Sequence, residues 1–267
     1  MKQKVLCGML LAASFSGILS GQQCFAAPAM SEKTQTEQTV HDEAIALSRA
    51  GNHRAALNVI SKVANLPNTP TGVLFDYVVL AAWAEEYELA VQVYETRILP
   101  LRVSLPNYVA DGVASSYFKL KKFKEARQIY HSMVAEGNSH AMRWEAECLG
   151  QMGEAEQALK LYNDALKLKP DDSELYAGRA LIYIKYNDSV KAMKDAETAI
   201  KLTGDDPISG RANSIRAEVG GTFIQHEDYY YAIMLLKPAV QAGKATMTMQ
   251  CDYISALVTY GDYAAAI

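Results

Sequence analysis

One alanine returns along the chain at nearly constant spacing, and nothing else in the sequence constrains the fold so tightly. It stands in segments of shared form, a polar or Gly turn, then in most copies an aromatic, then Ala: "AGNHRAALNVI", "AEEYELAVQVY", "LKKFKEARQIY", "MGEAEQALKLY", "YNDSVKAMKDA", "HEDYYYAIMLL" and "YGDYAAAI". The shared residues are Ala56, Ala90, Ala126, Ala158, Ala192, Ala232 and Ala266, spaced by 34, 36, 32, 34, 40 and 34. A period near 34 holds two helices of about a dozen residues and two short turns. Each unit is therefore read as a helical hairpin that must stack on its neighbours to bury its apolar faces.

Composition agrees with an all-α chain. Half of the 267 residues are hydrophobic and 21% are charged, with only 8 Pro and 16 Gly, and no long β-branched alternation appears. Within a unit the alanine marks a close helix approach, with larger or small apolar groups four and seven residues on, as in Ala158, Tyr162 and Ala165. Pro170 ends the second helix of that unit before "DD" opens the next. The step of 40 predicts an insertion of about six residues near "GDDPISGRAN", as a longer loop or a lengthened first helix in the sixth unit. Gly220-Gly221 in that helix costs about 2 kcal/mol of propensity, which close packing would offset.

Residues 1–29 read as an export signal: Lys2 and Lys4, an apolar run from Val5 to Leu19, then small residues. A cut between Ala26 and Ala29 is expected, with a lipoprotein cut at Cys24 or an uncleaved anchor as alternatives. Residues 30–39, polar and without periodicity, read as a flexible leader. Loss of two lysines with the signal takes the formal charge from −4 to −6, which argues against a nucleic-acid partner. Cys148 and Cys251 then remain, read as small core residues and not as a disulfide framework.

No sequence pattern for catalysis or metal binding is found. His41, His53, His131, His140 and His226 lack metal-ligand spacing, and P-loop, GxSxG and CxxC patterns are absent. The pairs Asp171-Asp172 and Asp205-Asp206 fall at helix starts, where acids cap. Successive helix residues point about 100° apart, so "YYY" at Tyr229–Tyr231 predicts packing between helices, not one stacking platform. A non-enzymatic binding scaffold without cofactor or metal is the expectation.

The residues Gly153, Ala158, Tyr162, Ala165 and Pro170, followed by Tyr176, Ala180 and Tyr183, resemble the tetratricopeptide repeat. The resemblance covers residues 40–267 and implies an all-α, right-handed superhelical solenoid of antiparallel helix pairs, about six and a half repeats long. It also implies a concave ligand groove along the first helices. Carried onto this chain, its positions are His41 and Arg49; Phe75, Val79 and Trp83; Tyr108, Asp111, Ser115, Phe118 and Lys119; and His140, Arg143, Glu147 and Gln151. Aromatic rings beside isolated acids suit sugar faces and amines, and equally a peptide or partner helix.

A narrower stretch, Asp42 to Met133, with "ALSRAGNHRAAL", "LAAWAEEYELAVQVYE" and "LPNYVADGVASSYFKLKKFKEARQIY", resembles the periplasmic repeat region of poly-β-1,6-N-acetylglucosamine export porins. That resemblance implies a periplasmic protein, part of an outer-membrane exporter in biofilm formation. It also implies docking of a polysaccharide deacetylase and guidance of partly deacetylated poly-N-acetylglucosamine, with Asp111 and Glu147 attracting amines while Trp83, Tyr108 and Phe118 offer rings. The alternating segments of a porin barrel do not occur before Ile267. A general exported scaffold for protein–protein interaction remains the alternative. "YGDYAAAI" itself reads as the turn and first residues of a second helix, so the seventh repeat is expected to be cut at Ile267.

Overall fold

The computed structural model describes residues 32–204 and 210–261, and among them thirteen α-helices follow one another with no strand. Six hairpins can be drawn from them. They are α1 (Glu32–Arg49) with α2 (His53–Ala64), α3 (Thr71–Trp83) with α4 (Tyr87–Val93), α5 (Asn107–Lys119) with α6 (Phe123–Ala135), α7 (Ala141–Gln151) with α8 (Ala155–Leu168), α9 (Ser173–Lys185) with α10 (Ser189–Leu202), and α11 (Gly210–Gln225) with α12 (Tyr229–Gln241). The first helix of a seventh unit, α13, covers Met247–Tyr260.

The periodic alanine has a common structural job. Ala56, Ala90, Ala126, Ala158, Ala192 and Ala232 are each the fourth residue of a second helix, and each is 0% exposed. A methyl group there lets the second helix approach its partner closely, and any longer side chain would overpack the contact. Farther along α8 the same stripe buries Tyr162 and Ala165, as the spacing predicts.

Five residues before each of these alanines the backbone turns left-handed. Gly51, Glu85, Lys121, Gly153, Asn187 and Glu227 have φ of 81°, 63°, 60°, 84°, 60° and 63°. In every case the next residue donates its N–H back to a carbonyl five residues earlier, as Asn52 does to Leu47 at 3.0 Å and Asp188 to Tyr183 at 2.9 Å. This bond closes a helix C-terminus and fixes where the following helix starts. Gly261, with φ 96°, repeats the conformation after α13; Ala266 lies outside the described residues, as does the export-signal segment 1–29.

The stack has two unlike sides. First helices touch one another along the chain, α3 with α5, α7 with α9, α9 with α11 and α11 with α13, whereas among second helices only α10 and α12 pack comparably. Crowding on one side and splaying on the other bends the stack, with the first helices inside the curve. The core runs the length of the stack as consecutive apolar clusters, from Ala44–Cys148 to Leu236–Leu257.

Departures from regular repetition have local causes. The insertion in the sixth unit goes partly into α11, which at 16 residues is longer than the 13 of α9; residues 205–209, including Asp205-Asp206, lie outside the described residues. Gly220 in α11 is needed for space, because a Cβ there would come within 2.9 Å of Leu236 in α12, while Gly221 has room. In the second unit α4 is short and passes into a π-turn, Tyr94–Ile98, and a 3-10 turn formed by the Leu-Pro-Leu of residues 99–101. Arg97 in the π-turn donates to the carbonyls of Ala64 and Leu66, closing the end of α2. Asp172 caps α9 by accepting from the Glu174 N–H at 3.0 Å.

Three readings are revised or refined by the coordinates. Helix α1 already begins at Glu32, so it runs through most of the segment 30–39 read as a leader; those residues include no Gly or Pro to stop it. Cys148 is buried, its thiol pushed up to about 12 by burial, but Cys251 is exposed on α13 and is not a core residue. In the tyrosine triple, Tyr231 stacks on Phe223 of its own hairpin at 5.5 Å, while Tyr230 reaches Tyr260 of the next unit at 6.2 Å.

Candidate functional site

The inner face of the curve begins with an apolar pocket that has a carboxylate on its wall. Ile45 and Arg49 from α1, Asp76, Val79 and Trp83 from α3, and Tyr108 from α5 line a space of about 170 Å³. Trp83 is 55% exposed and Tyr108 is 50% exposed. Trp83 leans on His53 at 5.3 Å between ring centres. The carboxylate of Asp76 is held from both sides, by His41 Nε2 at 2.8 Å and by the Tyr108 hydroxyl, which donates at 3.4 Å.

Farther along, the inner face becomes a polar ladder that crosses from repeat to repeat. Arg143 on α7 meets Glu174 on α9 at 2.9 Å, and Arg211 on α11 closes on the same carboxylate from the other side. Lys185 on α9 donates to Gln151 on α7 at 3.0 Å. Glu147 sits among Arg143, Lys119, Lys185 and Glu218 without a hydrogen bond to any of them, and burial pushes its carboxyl above the ordinary range against the pull of those cations. Asp111 on α5 is likewise half-buried and raised by burial, opposed by nearby His140.

Beneath these two acids lies the Tyr130 hydroxyl, which feels the charges of both Asp111 and Glu147, is wholly buried, and has no hydrogen-bond partner among the described residues. The Tyr162 hydroxyl, close to Glu147 and Arg143, is in the same state. Unsatisfied buried polar groups are uncommon in folded proteins and mark places where water or a ligand completes the bonding. Here one belongs to α6 of the third unit and the other to α8 of the fourth.

Of the residues expected in the groove, Trp83 and Tyr108 share the first pocket, and Lys119, Arg143 and Glu147 share the ladder, with His140 beside Asp111. Phe75 and Phe118 are placed differently. Both are half-buried against the core, and Phe118 is held edge-on by Phe123 at 5.2 Å and Trp144 at 6.2 Å. Phe118 falls one place short of Lys119 in its helix and turns towards its own second helix, so its ring packs inwards.

Sequence reasoning missed Asp76 and Glu174, the partners that make the face polar. It also missed a pair of outer-face links, where Glu145 and Arg179 occupy the same place, eight residues before the left-handed turn. Glu145 meets His131 at 2.8 Å on the preceding second helix, and Arg179 meets Asn163 there and Asp195 at 2.7 Å on its own. Repeat alignment would have put Glu145 and Arg179 in one column, but nothing local shows what they meet. Among the described residues there is no cluster of three or more His, Cys, Asp or Glu fit to hold a metal, and no helix is long and apolar enough to cross a membrane.

Comparisons with known proteins agree with this architecture. Residues 117–206 match the family model of the tetratricopeptide repeat. A tetratricopeptide repeat protein from Parabacteroides merdae shares the fold with a TM-score of 0.67 at 11% identity, over 87% of this chain and 90% of that one. MamA from Desulfovibrio magneticus shares it with a TM-score of 0.56 at 18% identity, over 66% of this chain and 98% of that one. The described residues therefore form a solenoid of the tetratricopeptide-repeat type, built from antiparallel helix pairs.

Proposed function

We propose that this chain is a non-catalytic scaffold that holds a segment of a partner protein along its inner face. The observation that carries the reading is the pairing of two exposed aromatic rings, Trp83 and Tyr108, with a carboxylate already oriented between them by His41. Solenoids of stacked hairpins offer such extended curved faces and commonly bind proteins on them. Exposed large rings at the mouth of an apolar pocket are the usual anchors of such contacts. Residues 1–29 have the composition of an export signal, so under this reading the scaffold works in the periplasm.

A photo-crosslinking residue placed at Tyr108, on the inner face, and at Val190, exposed on α10, tests the proposal in the producing cell. Adducts to a defined protein from position 108 and none from 190 are expected. Adducts from 190 alone would move the working surface to the outside of the curve and sink the reading.

The same rings and carboxylate favour a second reading, the repeat region of an exporter of poly-N-acetylglucosamine that docks a deacetylase and guides the polymer. An aromatic face with an acid beside it suits an amino sugar, and weak contacts of about 1 kcal/mol each suit a guide that releases its cargo. Titration with glucosamine oligomers should then shift Trp83 fluorescence; an unchanged spectrum at saturating oligomer removes the polymer from the account.

A further inference from the structure

The outer face carries a cavity at three successive seams, where neighbouring second helices splay apart over a first helix. The cavity between α6 and α8 is lined by Glu145, Leu149, Gln157, Lys160, Leu161 and Asp164. The residues 34 places on, Arg179, Tyr183, Lys191, Lys194, Asp195 and Thr198, line the next one, between α8 and α10. Met234, Leu235 and Pro238, 40 places after Lys194, Asp195 and Thr198, line the third, between α10 and α12. Backbone geometry therefore repeats the cavity, while side chains give each copy its own chemistry. The first sets Arg127 and Lys160 against Glu145 and Asp164, and the third is walled mainly by Met193, Ile200, Met234 and Leu235.

The middle cavity, of about 450 Å³, lies within the size range of small-molecule sites and has three cations on its wall, Arg179, Lys191 and Lys194, against one carboxylate, Asp195. Arg179 is already fixed. It donates to both oxygens of Asp195 at 2.7 and 2.9 Å and to Asn163 on α8, and it lies over the rings of Tyr176 and Tyr183 at 5.4 and 5.9 Å. The charge of Asp195 is thereby spent. Lys191 is held by Asp188 at 2.6 Å, whereas Lys194 makes no ion pair or side-chain hydrogen bond among the described residues. The flanking acids Asp164 and Glu197 line the neighbouring cavities. One positive charge is left over, beside donors that are held in place.

We propose that this cavity is a second binding site, for a small organic phosphate whose phosphoryl oxygens meet Lys194, Lys191 and the remaining N–H groups of Arg179 while its body rests against Tyr176 and Tyr183. Three separate cationic groups suit the three acceptor oxygens of a phosphoryl group better than the two of a carboxylate. An ammonium has three donors, so Lys191 keeps Asp188 and still serves the ligand. The cavity is larger than a phosphate ion fills, which leaves room for the body. The site lies outside the inner face, so it stands or falls independently of the scaffold reading.

Calorimetric titration of the full chain with glucose 6-phosphate, inorganic phosphate and glucose tests the assignment. Glucose 6-phosphate should bind most tightly, phosphate more weakly and glucose not at all. Lys194→Gln should weaken glucose 6-phosphate about tenfold, through loss of one charge-assisted hydrogen bond, and Lys194→Arg should restore it. Lys160→Gln, in the same column one unit earlier, should leave the affinity unchanged. Both lysines are exposed, so these variants should fold as the parent does. Absence of glucose 6-phosphate binding, or equal affinity for it and for either phosphate or glucose, overturns the proposal. So does a Lys194→Gln affinity equal to that of the parent, or an equal loss from Lys160→Gln.

Discussion

Glu147 shows at the scale of one residue how burial acts on a charge of the inner face. Its carboxyl is raised by burial, and although three cations lie in its neighbourhood none makes a hydrogen bond to it. An acid whose value is raised in the folded state binds its proton more tightly there than in the unfolded chain. The contribution of Glu147 to stability is therefore fully present below the ordinary glutamate range and is lost as pH rises through the raised folded value. Glu147→Gln, which removes the charge at similar volume, should stabilise the protein by about 1 kcal/mol at pH 8 and leave it nearly unchanged at low pH. Urea unfolding of both proteins across that range reads the difference, and a variant less stable than its parent at pH 8 would show that Glu147 is satisfied by its neighbours. Asp111, raised for the same reason, adds to the same slope in the parent.

At the scale of elements, the hairpin turn is one conformation written in different residues. Glycine fills the left-handed position in the first, fourth and seventh turns, while Lys121, Asn187, Glu85 and Glu227 occupy it elsewhere. A side chain other than glycine pays about 1 kcal/mol for that backbone, partly recovered from the unfolded state. Substitutions at equivalent places should then have opposite signs. Lys121→Gly is expected to stabilise by about 0.5 kcal/mol, and Gly153→Ala to destabilise by about 1 kcal/mol although a Cβ there would meet nothing within 4 Å. Thermal unfolding of the two variants separates this backbone account from one based on contacts, in which neither change matters.

The turn and the alanine were both legible in the sequence, because each is imposed by the geometry within one hairpin and so recurs with the period. The inner and outer faces were only half legible. Periodicity assigns a residue to a column, and the resemblance to the tetratricopeptide repeat implied that the columns of Trp83, Arg143 and Glu147 share one face. It says nothing of what stands across the gap to the next repeat, which is where His41 meets Asp76 and Arg143 meets Glu174, 35 and 31 residues away. Phe118, which the resemblance put in the groove, packs against Phe123 and Trp144. Neighbouring places in a helix point about 100° apart, so a family pattern that takes both Phe118 and Lys119 includes one residue that turns inwards. The π-turn at Tyr94–Ile98 had no signal beyond Pro100, since it depends on Arg97 reaching back to α2.

At the scale of the whole molecule, contacts reach only neighbouring pairs of helices, and the core is a succession of clusters along the stack. A structure of this kind is expected to unfold by segments, its stability being a sum over units and the interfaces between them. Leu236 offers a local probe, since it is wholly buried in the last cluster and fills the space that Gly220 leaves open. Leu236→Ala removes that packing and should cost about 3 kcal/mol, the usual range for emptying a buried leucine site. If stability is segmental, hydrogen exchange will accelerate in α11, α12 and α13 while α2 to α6, in the first cluster, keep the protection of the parent. Acceleration spread evenly over all thirteen helices would instead mean that the solenoid is one cooperative unit.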